Sequence, residues 1–140
     1  MTDVLLPLNP CEVLKQTRQN GKQAIKGEHR KLFAQTIQHS IDFEQVAQKW
    51  RVKAQLKRVD YLVQSKRKKG WAAVEVHQAK ASDVIQKKID SKNILDKHCP
   101  SMSQAINDWF VCIEGDIHHT HKRKINDAGI QTVRNLLTKL

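Results

Sequence analysis

The sequence predicts an α/β fold, a mixed sheet with flanking helices, on three observations. Val59 to Val63 and Val74 to Val76 are short runs rich in β-branched and aromatic residues, divided by a basic loop that ends at Gly70. A helical pattern opens at Ser82 after them. Asp108-Trp-Phe-Val-Cys-Ile113 is then a nearly continuous apolar run, suited to a central strand covered on both faces. At 140 residues the chain reads as one domain over 27–140, long enough to need no disulfide or metal staple, with 1–26 as a loosely held arm.

Asn9-Pro10 can cap and start a short helix through Arg18, before Asn20-Gly21 and Gly27 interrupt it. From Glu28 to Ser40 the apolar residues Leu32, Phe33 and Ile37, followed by Ile41, keep helical spacing and predict an amphipathic helix. Asp42 with Gln45 has capping-box spacing and starts another helix ending near Trp50. Beyond Arg51 the period is ambiguous, because Val52, Ala54 and Leu56 alternate while Val52, Leu56, Val59 and Val63 also fit a helix. An all-α bundle is therefore the alternative, with one helix from Asp42 to Ser65 and another from Trp71 to His98. Composition favours strands. The helix from Ser82 turns Val84, Ile85 and Ile89 inward and stops before Cys99-Pro100. Lys124 to Ala128 makes a helical turn ended by Gly129, and Ile130 to Leu137 returns as a last strand.

Twenty-five Lys and Arg against fourteen Asp and Glu leave a net charge of +11, for which DNA or RNA is the natural partner. An acidic protein partner or an anionic membrane surface satisfies the same charge. Cys11, Cys99 and Cys112 form no C-x-x-C pair and leave an odd thiol, which suits a reducing cytoplasm. Val4-Leu-Leu-Pro-Leu8 is too short for a signal peptide, and no run of about 18 apolar residues marks a membrane span. No P-loop, dinucleotide glycine pattern, nucleophile elbow or zinc-finger spacing is present.

The hairpin carries the candidate chemistry. If Lys66, Arg67, Lys68 and Lys69 form a four-residue loop, Ser65 faces Gly70 and, counting back, Asp60 faces Glu75. His77 joins Glu75 on the same face, opposite Arg58. Facing carboxylates repel unless something positive lies between them, so the pair is a candidate divalent-metal site. Arg58 is the competing cation, able to neutralise the pair as a salt bridge without metal.

Asp116-Ile-His118-His119-Thr-His121 holds three imidazoles and a carboxylate, yet Lys122-Arg-Lys124 beside them repels a cation, and an exposed polar segment is the simpler reading. Trp50, Trp71 and Trp109 lie in apolar runs and read as core or hairpin anchors, with Trp71 nearest the basic loop.

Over 28–140 this element order and the Asp60, Glu75 pair resemble the PD-(D/E)XK nuclease superfamily, the restriction-endonuclease-like fold. The resemblance implies Mg²⁺ held by Asp60 and Glu75, with Val76 as the spacer and His77 standing where the family has lysine. It implies phosphodiester hydrolysis, with His77 or Lys80, or a basic residue of the Ser82 helix, positioning water. Lys66, Arg67, Lys68, Lys69, Lys87 and Lys88 are the expected nucleic-acid contacts, and pairing of two chains as a homodimer is compatible with cutting two strands. A noncatalytic binding or regulatory protein of the same fold is the alternative.

Overall fold

The computed structural model describes residues 9–76 and 80–140; His77 and the apolar Val4–Leu8 stretch lie outside the described residues. One mixed sheet of six strands runs in the order β1-β2-β3-β4-β5-β6, from Gln19–Asn20, Ile37–Asp42, Tyr61–Ser65, Trp71–Val76, Ile106–Cys112 and Gln131–Val133. The first four strands pair antiparallel, while β4, β5 and β6 are parallel. Parallel neighbours require crossovers. These are supplied by α3 (Ala81–His98) with α4 (Pro100–Ala105), and by α5 (His119–Asp127). The fold is α/β and not all-helical.

Side-chain alternation along the strands sorts the core. Leu62 and Ala73 pack with Val13 and Leu14 of α1 (Pro10–Thr17), Phe43 and Val46 of α2 (Phe43–Lys49), and Ile94 and Leu95 of α3. Val111 on β5 meets Val84 of α3 and Ile125 of α5. On the opposite face Tyr61, Val63, Val74 and Phe110 are covered by Ile25, Phe33, Leu136 and Leu140.

Two expectations need correction. The predicted helix from Glu28 to Ser40 is a 3-10 turn at Gly27–Leu32 followed by β2. Between Ile37 and His39 the β2–β3 register shifts, and this irregularity spoils the period-two pattern that would have marked a strand. Of the loose arm expected over 1–26, the described residues 9–26 are anchored at several points. Val13 and Leu14 enter the core, Gln19 and Asn20 pair with β2, and Ile25 is buried. Asn9 caps α1, its side-chain oxygen accepting from the Cys11 N–H at 3.0 Å. Cys11 and Cys99, 88 residues apart, form a disulfide that ties α1 to the α3–α4 corner, and Cys112 is the odd thiol, buried. That separation is why spacing in the chain gave no hint of the pair.

The other elements follow their terminus signals, but Ile89, expected to face inward from α3, is 47% exposed, α5 starts at His119 rather than Lys124, and the last strand is Gln131–Val133 rather than 130–137. Asp42 caps α2, accepting from the Glu44 and Gln45 N–H groups at 3.0 and 3.4 Å. The β3–β4 turn ends at Gly70, where φ is +86° and a Cβ would run into the Asn107 amide and lie 2.9 Å from the Ala105 carbonyl oxygen. Only glycine fits both the dihedral and that approach. Gly129 stops α5 with φ +81°. Among the described residues no helix is long and apolar enough to cross a membrane.

Candidate functional site

The ladder Tyr61↔Val74, Leu62↔Ala73, Val63↔Ala72 extends to place Asp60 opposite Glu75, the register that a four-residue loop requires. Asp60 stands just before β3 rather than inside it, and its Oδ2 accepts from the Val76 N–H at 2.9 Å. That bond lashes the first acid to the strand carrying the second. Glu75 itself is only 2% exposed.

A cation does reach the pair, but it is not Arg58. The Arg58 guanidinium turns to α2 and donates to both oxygens of Glu44, at 2.6 and 2.8 Å, and to the carbonyls of Lys53 and Leu56. This bidentate pairing holds the Glu44 carboxyl below its ordinary pKa. Instead Lys87, from the second turn of α3, donates to Glu75 Oε2. No spacing in the chain singles out this lysine, because its position depends on how α3 docks across the sheet.

Glu75 Oε1 is buried with no hydrogen-bond partner. Asp60 lies within hydrogen-bonding reach, but two ionised carboxylates have no proton to share. Burial, and then the Asp60 carboxylate, push the Glu75 pKa up to about 8 against the opposing pull of Lys87. At neutral pH the arrangement therefore takes up a proton, or a cation in its place. One unpartnered buried oxygen from Glu75 beside the Asp60 carboxylate fits Mg²⁺, which takes one or two carboxylates and keeps several waters. It does not fit a closed zinc centre, and among the described residues no group of three or more His, Cys, Asp and Glu side chains is placed to hold a metal.

The remaining predicted site residues are dispersed. Lys80 is exposed at the N-cap of α3. Near it Asp83 is held below its ordinary pKa chiefly by its hydrogen bond from Lys57, with smaller contributions from Lys80 and Lys87. Lys66, Arg67, Lys68 and Lys69 are exposed at the far end of the β3–β4 hairpin, the five residues back from Glu75 to Gly70 spanning about 17 Å. The loop and the acid pair are thus at opposite ends of the strands. Lys88 is engaged elsewhere: its ammonium donates to the Ala128 carbonyl at the end of α5 at 2.7 Å and lies 5.6 Å from the Trp109 ring centroid. It locks α3 to α5, and burial lowers its pKa. His119 and His121 lie in the first turn of α5, His118 caps that helix through Nδ1, and Asp116 pairs with Arg134.

Scans against family models, curated proteins and solved structures returned no match to this chain.

Proposed function

We propose that the chain binds nucleic acid and hydrolyses phosphodiesters in the manner of PD-(D/E)XK nucleases, with Lys87 taking the part of the missing strand lysine. The observation that carries this reading is a buried, unpartnered Glu75 oxygen beside Asp60, with the Lys87 ammonium on the other Glu75 oxygen. Asp60 and Glu75 would hold Mg²⁺, which when bound polarises a phosphoryl oxygen and makes water more acidic. The Val76 N–H fixes Asp60, and the sheet fixes Glu75, so both oxygens are preorganised. Lys87 contributes a fixed positive charge from α3 where negative charge would grow on the phosphate.

The same Lys87 contact favours a second reading. An ammonium already on Glu75 neutralises part of the acid pair, as in a silent relative that only binds nucleic acid or a protein partner. Plasmid and single-stranded DNA incubated with the protein in Mg²⁺ or Mn²⁺ separate the two. The nuclease reading expects cutting that falls about a hundredfold or more in Asp60→Ala and Glu75→Gln. Cutting that is absent, or equal in wild type and both variants, sinks it. Salt-dependent binding without cutting then selects the silent relative.

A further inference from the structure

The groove between the 50–58 segment and the second half of α3 is a built concavity that the acid-pair reading leaves unused. Its floor is apolar, from Trp50, Val52, Leu56 and Ile94, and its rim carries Arg51 and Lys97. Leu56 is 38% exposed there, one of the few large apolar side chains left to solvent. Trp50 is stacked on His98 with ring centroids 4.7 Å apart and planes 12° apart, so one indole face is covered and the two rings line the groove as a pair. Lys53 and the amide-bearing Asn93 also line it.

Arg51 is the most informative of these residues. It ends α2 with the Arg51 N–H on Gln48 O and the Val52 N–H on Ala47 O, at 3.0 and 2.9 Å, the hydrogen-bond pair of a Schellman cap. The left-handed residue of that motif is usually glycine, and Arg51 has φ +56°, alone among the described non-glycine residues in having positive φ. An exposed guanidinium is thus kept where a bare backbone would be more stable. Strained residues of this kind cluster where chains clamp ligands, and this one stands at the rim of the groove.

We propose that this groove seats an unpaired nucleotide, with the base against Trp50 and Leu56 and the phosphate on Arg51, Lys53 and Lys97. Three cations around an apolar floor, against the single acid Asp90, whose carboxylate already accepts from the Lys57 N–H and the Gln86 amide, complement a ligand that is aromatic and anionic at once. The location also suits a strand leaving the acid pair. Ile94 and Lys97 follow Lys87 on the same face of α3, about 10 to 15 Å along the helix. Only this continuity rests on the nuclease reading; occupancy of the groove by a nucleotide does not.

Binding of a fluorescein-labelled, eight-nucleotide thymidine strand to the full chain, measured by anisotropy in EDTA, tests the proposal without any metal-dependent cutting. The thymidine strand should bind at least about fivefold more tightly than an abasic strand of equal length and charge. Arg51→Gly should raise Tm and yet weaken thymidine-strand binding about fivefold or more, and the surface change Lys97→Gln should weaken it in the same direction. Equal affinity for the abasic strand, full affinity in Arg51→Gly, or tighter binding of a hexaglutamate peptide overturns the proposal. A protein that binds through the groove and cuts nothing keeps this inference and loses only the nuclease reading, while cutting without base-dependent binding does the reverse.

Discussion

Glu75 concentrates the unusual electrostatics of this chain in one side chain. Its pKa rises from the ordinary 4.5 to about 8, chiefly because burial disfavours its charged form. Between those values the folded state holds a proton that the unfolded chain has released, so stability falls as pH rises through that window and levels off above it. The limiting slope for one such proton is about 1.4 kcal/mol per pH unit. Glu75→Gln removes the titrating group while keeping its shape. Urea-denaturation midpoints from pH 5 to 9 should therefore show a decline in wild type that the variant lacks; parallel curves would mean that Glu75 is ionised throughout. The facing of Asp60 and Glu75 was legible in the sequence, because a four-residue loop and the period of two leave one register. That a basic residue of the Ser82 helix could reach the pair was legible too, but not that it would be Lys87, nor that Arg58 would turn away. Each reaches a partner on an element whose docking angle no local pattern records, Arg58 to α2 and Lys87 across from α3.

Among the elements, those with a local terminus signal were readable and those shaped by irregularity were not. Asp42 before α2 and Gly129 after α5 announced their helices through side-chain capping and positive φ. In β2 the register shift sets Ile37, Ser40 and Ile41 as the buried residues, a spacing that mimics a helix. The first helix was readable from Asn9-Pro10, but its anchorage was not, because that depends on Cys99 lying 88 residues away. Closing so long a loop constrains the unfolded chain by about 4.6 kcal/mol on the entropic account. Cys11→Ser, or reduction of wild type, should thus lower Tm by roughly 15 °C, with alkylation before and after reduction counting one and then three thiols in unfolded protein. A single population with three thiols before reduction would show that the cysteines merely lie close. Burial holds the Cys112 thiol up to about 12, so it is a poor nucleophile for exchange with that bond.

At the scale of the molecule, the separation of charge from chemistry follows from topology. The carboxyl ends of the parallel strands lie at one edge of the sheet, where Glu75 and the start of α3 meet, and the basic hairpin loop projects from the other. Ligands of open α/β sheets gather at those carboxyl ends. A net charge of +11 spread over both edges suits a polyanionic partner anywhere on the surface, but only one edge holds the acid pair. Replacing Lys66, Arg67, Lys68 and Lys69 together by glutamine should weaken binding of a long duplex and flatten its dependence on salt by roughly 0.9 in log–log slope for each phosphate that the loop no longer neutralises. Binding of the eight-nucleotide strand should stay within about twofold of wild type, since a strand lying along α3 from the acid pair has no need of the loop about 17 Å away. Anisotropy titrations of both probes from 50 to 300 mM salt compare the two edges directly. Equal weakening for the short strand and the duplex would place the loop within the same binding track as α3 and remove the proposed division of roles between the two edges.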